Sequence, residues 1–189
     1  MGSLVGVRTT VVVGLAFLFQ VCLFARTPVF GVSPDVILLT AIGVGLAGGP
    51  ERGALVGFAG GLLFDCTVTT PFGLSALVGA SVGYIVGGLQ HAVLGSTWWT
   101  PLAVAGIAST LAYATLGALL GNLDWLSPHT VLVALGVGLL NTALAVFVLP
   151  ITRWSQGEPL GLDRLRVPEV LTRRRRGTAR RRRPQRGGR

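Results

Sequence analysis

The chain has 189 residues, 51% of them hydrophobic and only 12% charged, with a mean hydropathy of +0.69. That composition leaves too little polar surface for a water-soluble domain and indicates an integral membrane protein. Charge is segregated: residues 1–152 carry three arginines and four acids, residues 153–189 thirteen arginines and three acids, for a net charge of +9.

Apolar runs follow one another from Thr9 to Ala25, Val36 to Gly49, Gly53 to Phe64, Gly73 to Leu94, Pro101 to Leu120 and Thr130 to Ile151. A hydrocarbon core of roughly 30 Å takes ~20 helical residues, so the last two runs span by length alone. The second and third are short. The third reaches spanning length only by continuing through Asp65 to Phe72, which sets a carboxylate at membrane depth. The pattern predicts an all-α, polytopic membrane domain over residues 1–152 with about six transmembrane helices. A re-entrant hairpin over Val36 to Phe72 is the alternative for the second and third runs. Arg8 before the first run also suits a signal peptide, but Ala25-Arg26-Thr27-Pro28 is a poor cleavage site, so an uncleaved helix is expected. Cys22 and Cys66 lie in apolar surroundings and read as small packing residues, without the spacing of a disulfide or metal framework.

Under the positive-inside rule the tail is cytoplasmic, and six crossings put the N-terminus there too. Arg8 and Arg52 then fall on the inner side with the tail, and Arg26 on the outer. Arg173 to Arg176 and Arg180 to Arg183 are set among Gly, Pro, Thr and Gln with little to bury, so residues 153–189 read as a disordered cytoplasmic tail. A basic run binds phosphates of nucleic acid or of lipid. The juxtamembrane position favours anionic lipid, at about 1 kcal/mol per residue near the surface, over nucleic acid. Trp98, Trp99, Trp125 and Trp154 suit interfacial anchors.

Within the membrane domain the glycines are spaced. Gly53, Gly57 and Gly61 recur every four residues, Asp65 completes the row, and Gly79, Gly83 and Gly87 repeat the spacing in the next segment. Residues four apart share a helix face, so each row is a groove where another backbone approaches closely, from the same chain or from a partner. An ionisable residue at membrane depth is a functional candidate by default. For Asp65 three readings stand: a cation or proton site, a partner for Arg26, or a carboxylate capping the break from Cys66 to Pro71. Asp35, at the head of the second run, is a second candidate. Asn141 in the sixth run and Gln20 in the first are amides that hydrogen-bond across helices; Gln90 and His91 close the fourth segment.

Catalysis finds little support. Ser81, with His91 and His129, invites comparison with an intramembrane serine protease, but a nucleophile needs its base within hydrogen-bond reach. His91 lies far along the same segment, and His129 at the edge of the sixth. No second carboxylate or histidine neighbours Asp65 for acid–base work, and there is no phosphate-binding loop or metal-ligand spacing. No enzymatic activity, cofactor or metal is expected.

The motifs Pro34-Asp35-Val36-Ile37-Leu38-Leu39, Gly53-Ala54-Leu55-Val56-Gly57-Phe58-Ala59-Gly60-Gly61-Leu62-Leu63-Phe64-Asp65, Pro71-Phe72-Gly73-Leu74 and Gly83-Tyr84 together resemble the rod-shape-determining MreD family of bacteria. The match covers about a third of the chain; the long arginine tail departs from the compact family pattern. The resemblance implies a multi-pass protein of the bacterial inner membrane, similar in fold to the membrane-embedded substrate-binding subunits of energy-coupled vitamin transporters. It implies a non-enzymatic role in cell shape and cell-wall elongation, with the bitopic protein MreC as direct partner. MreB filaments and a lateral peptidoglycan synthase, a SEDS polymerase with a class B penicillin-binding protein, would be reached directly or through MreC. On that view the two glycine rows, with Asp65 at their outer end, are both core and docking surface: Gly57→Leu or Gly83→Leu disrupts packing, and Asp65→Asn affects function alone. The alternative is a small-molecule (vitamin) binding subunit of an energy-coupled transporter, for which the outer-half polar residues are few: Asp35, Asp65, Asn122, Asp124 and His129. A channel or ion-coupled transporter would ask for more buried charge or for inverted repeats.

Overall fold

The computed structural model describes residues 2–24, 33–67, 71–94, 97, 99–120 and 128–157. The expectations resting on Arg26, Trp98, Asn122, Asp124, Trp125 and the arginine tail lie outside the described residues. Every regular element within them is helical: α1 (Gly2–Phe19), continued by a π-helical turn at Gln20–Phe24, then α2 (Val36–Gly48), α3 (Pro50–Asp65), α4 (Leu74–Gly88), α5 (Gln90–Leu94), α6 (Thr100–Leu119) and α7 (Pro128–Ser155). Three are long and apolar enough to cross a membrane: Leu4–Cys22, Thr100–Leu119 and Pro128–Ser155. Two more, α2 and α4, are shorter apolar helices.

Local chemistry sets the boundaries. Pro50 and Pro101 occupy the first turns of α3 and α6, where a missing N–H breaks no bond and the fixed φ already suits a helix. One residue, Gly49, separates α2 from α3; its φ of +94° is a conformation that a side chain disfavours. The expected continuation of the third segment to Phe72 does not form. α3 ends at Asp65, whose carboxylate turns back to the start of the next helix, and Gly73 enters α4 at φ +93°. The fourth segment likewise breaks at Leu89, so Gln90 and His91 open the short α5 rather than closing α4.

Helix α2 is apolar on every side and occupies the centre, as such a helix must. All residues from Val36 to Leu46 are buried, and Leu39, Ile42 and Leu46 pack with Val78 and Val86 of α4, Ala105 of α6 and Leu149 of α7. Around it the outward face is apolar, with Leu139 73% and Phe147 69% exposed, a surface that hydrocarbon solvates better than water. Cys22 and Cys66 are free thiols on that outer surface, not packing residues: one lies in the π turn and the other just past the end of α3. At one end of the bundle Gln156 Nε2 donates to Thr9 Oγ1 (2.8 Å), Arg52 Nη1 donates to Gln156 Oε1 (2.9 Å), and the Arg8 guanidinium lies 4.9 Å from the centre of the Trp154 ring. The starts of α1 and α3 and the end of α7 therefore adjoin.

Candidate functional site

The two glycine rows lie against each other. A Cβ added to Gly57 would collide with the Gly79 carbonyl, one added to Gly53 with the Gly83 carbonyl, and one added to Gly61 would sit 2.5 Å from Ala76 Cα. At the far end of the row a Cβ on Gly87 would lie 2.6 Å from Pro50 Cα, and on the other side Gly45 of α2 approaches Gly83. The row continues as Gly-Gly, Gly-Gly, Gly-Ala along an antiparallel α3–α4 pair whose backbones touch. Across the α3–α4 contact these six glycines leave no groove for a partner helix, because each lies against backbone of its own chain, while Gly57, Gly61 and Gly79 also border a cavity on the side of α2 and α6.

Asp65 locks the same pair. Its side chain is 3% exposed and accepts the Gly73 N–H at Oδ2 (2.8 Å), with longer bonds from the Ser75 N–H to Oδ1 (3.3 Å) and the Ala76 N–H to Oδ2 (3.4 Å). The first N–H groups of a helix have no intrahelical partner, and a carboxylate there meets both the donors and the positive end of the helix dipole. Asp65 thus caps the start of α4, whose N-cap residue is Gly73, with a carboxylate supplied from the end of α3. All three of these bonds serve the α3–α4 joint, so substitution of Asp65 by Asn is expected to act on structure first.

The second candidate, Asp35, heads α2 and accepts the N–H groups of Leu38 (2.8 Å) and Ile37. The backbone on which it sits is gripped from both sides. Gln20 donates through Nε2 to the Pro34 carbonyl (3.0 Å) and accepts the Val36 N–H at Oε1 (2.9 Å). Asn141, fully buried midway along α7, accepts the Asp35 N–H at Oδ1 (3.0 Å), donates through Nδ2 to Ser109 Oγ on α6 (2.8 Å), and makes a longer bond to the Asp35 carbonyl (3.4 Å). Two amides imitate neighbouring strands and satisfy a non-helical segment inside the bundle, tying α1, α6 and α7 to the start of α2. The π turn beginning at Gln20 marks where α1 departs from regular geometry to reach it.

Above this clamp α2 does not continue, and a cavity of about 210 Å³ remains between α3, α4 and α6. Asp35, Gln20, Ser33, Ser75, Ser109 and Tyr113 are the polar residues of a lining that is otherwise apolar, including Phe64, Val78 and Leu116. Among the described residues Ser75 Oγ is the buried side-chain polar atom left without a hydrogen-bond partner. A second hollow, about 470 Å³, opens between α1 and α3, lined by Gly6, Thr10 and Gly14 on one side and Leu55, Ala59 and Leu63 on the other. A Cβ at Gly6 or Gly14 would meet nothing within 4 Å.

The remaining polar candidates are dispersed. Ser81 is exposed and its hydroxyl donates to the Leu77 carbonyl of its own helix, while His91 and His129 are also exposed. Among the described residues no three His, Cys, Asp or Glu side chains stand close enough together to hold a metal ion. Sequence reasoning singled out Asp65, Asp35 and Asn141 but missed Ser109 and Ser75, whose signal is only a small polar residue in an apolar helix. No family model, curated protein or solved structure matches the chain.

Proposed function

We propose that the chain is a multi-pass scaffold of the bacterial cell-elongation machinery, of the MreD type, joining an MreC-like bitopic protein and, through it, MreB filaments and the peptidoglycan synthase. One observation carries the reading. Several residues that bear the resemblance have structural tasks at α2, α3 and α4: Asp35 caps α2, Gly53, Gly57, Gly61 and Gly83 let α3 and α4 touch, and Asp65 with Gly73 joins the end of α3 to the start of α4.

Six crossings are part of the proposal, with α2, α3 and the α4–α5 pair as the shorter spans. The junction of Thr9, Arg52 and Gln156 supports an even number, because it brings the first and last helices of the bundle to one end together. Arg8, Arg52 and Arg153 belong to the elements meeting there, and the positive-inside rule makes that end cytoplasmic. The arginine tail would then lie against anionic lipid. With the glycine rows closed, the face offered to the partner's transmembrane helix is the hollow between α1 and α3, where Gly6 and Gly14 leave room for close approach.

The test is co-purification of the tagged full chain from its own host in mild detergent, with mass spectrometry of what accompanies it. A bitopic shape protein and wall-synthesis enzymes are expected, and Gly14→Leu is expected to reduce their recovery while the purified variant stays monodisperse. The cavity above α2 favours the second reading, a small-molecule binding subunit, and recovery of an ATPase pair with a coupling membrane subunit would establish that reading and overturn the scaffold.

A further inference from the structure

The cavity over α2 is a consequence of one short helix. At 1.5 Å per residue the 13 residues of α2 rise about 20 Å, too little to accompany α7 along its whole length, so among the described residues no central helix continues beyond Asp35. Close-packed interiors leave few voids of this size. What lines it is selective. The N–H groups at the start of α2 are already taken: Asp35 by Asn141, Val36 by Gln20, Ile37 and Leu38 by the Asp35 carboxylate. No donor is left there for an anion. The lining instead offers the Asp35 carboxylate and hydroxyls that accept as well as donate, among them the unpartnered Ser75 Oγ, and among the described lining residues none is basic. Among the described residues no cationic side chain meets the Asp35 carboxylate, and a carboxylate in so apolar a lining attracts a positive group.

We propose that this cavity is a binding site for a small organic cation: an ammonium group against Asp35, with Ser75 Oγ accepting one of its protons, on a compact apolar body packed against Phe64, Val78 and Leu116. Size sets the body. An apolar cavity of about 150 Å³ holds benzene, so about 210 Å³ holds one ring with a short arm. The site does not depend on the scaffold reading, since it concerns the isolated chain and not what co-purifies with it.

The probe set is benzylamine, benzyl alcohol and benzoate, which share a shape and differ in charge. Thermal unfolding of the purified full chain in detergent is expected to shift upward and saturably with benzylamine, less with benzyl alcohol, and not with benzoate. Micelle partitioning is common to the neutral probe and is subtracted by it. Asp35→Asn is expected to weaken benzylamine by about 30-fold or more, the scale of removing one member of a buried charge pair. Because that substitution also alters the α2 cap, Ala112→Leu, which fills the cavity from α6 and leaves the cap intact, must abolish the benzylamine shift as well. A flat response to benzylamine, an equal response to all three probes, or a benzylamine shift surviving Ala112→Leu would overturn the proposal.

Discussion

Two glycines at similar depth in their helices are expected to respond to the same substitution with opposite signs. Gly57→Ala adds a methyl group whose nearest neighbours are the Gly79 carbonyl and the Ala80 nitrogen, all backbone, so no rotamer change relieves the contact. Relief requires α3 and α4 to separate, and separation also opens Gly53 from Gly83 and Gly61 from Ala76. Overpacking of a rigid site costs about 3 kcal/mol at the upper end of the usual range, and alanine returns about 1 kcal/mol of helix propensity over glycine. The balance is a loss of about 2 kcal/mol, which for a chain of this length lowers Tm by about 4–8 °C. Gly14→Ala meets nothing within 4 Å and keeps only the propensity gain, an upward shift of about 2–4 °C at most. Thermal unfolding in one detergent, followed by tryptophan fluorescence and by size exclusion after heating, measures both. An unchanged Tm for Gly57→Ala, or a fall for Gly14→Ala as large as that for Gly57→Ala, would refute the contact geometry.

Other perturbations separate the remaining elements. Asp65→Asn preserves volume but turns a donor toward donors, leaving at least one N–H of α4 without an acceptor at about 1–3 kcal/mol; faster amide exchange at Gly73, Ser75 and Ala76 together with a lower Tm is expected, and a variant altered in function with unchanged exchange would contradict the capping role. Asn141→Leu removes bonds to Asp35 and Ser109, and at about 0.6 kcal/mol or more per interhelical bond in a membrane protein it should lower stability by about 1–2 kcal/mol in a denaturant titration. A double substitution with Gln20→Leu should then be non-additive, because both amides hold one backbone segment. On the α6–α7 face, the Thr142 side chain packs where a Cβ on Gly106 would sit and that of Thr110 where one on Gly138 would sit, while each hydroxyl donates to a carbonyl of its own helix, Thr110 to Gly106 and Thr142 to Gly138. Gly106→Ala should therefore be destabilising alone and substantially rescued by Thr142→Ala, whereas no side-chain truncation on α4 should rescue Gly57→Ala.

The helical class, the long apolar segments and the close approach implied by residues four apart were legible because each depends on local periodicity. What each row would face was not. Four-residue spacing describes one surface, and a second surface of the same kind fits it whether it belongs to a partner or to the next helix in the chain. Asp65 was conspicuous for its charge, yet its task depends on the turn that follows: only when Gly73 brings the start of α4 back beside the end of α3 do its N–H groups reach the carboxylate. The Gly106–Thr142 and Gly138–Thr110 packing escaped notice because Thr is common in apolar helices and the contacts join residues far apart in sequence, as does the Asn141–Ser109 bond.

The polar cluster and the short central helix are two sides of one physical constraint. A helix that begins inside an apolar bundle exposes its first N–H groups, and the extended residues before it expose both N–H and C=O, each costing free energy if left unpaired. Water satisfies such groups at a protein surface; within hydrocarbon other protein groups must do so. Gln20, Asn141 and Asp35 supply that replacement, two amides for the extended segment and a carboxylate for the helix start. Replacing any one by an aliphatic side chain would favour extending α2 or unpacking its start, and either change would alter the cavity above it. The clamp and the cavity are therefore coupled, and a ligand that engages the Asp35 carboxylate would act directly on the joint that fixes α2 to α1, α6 and α7.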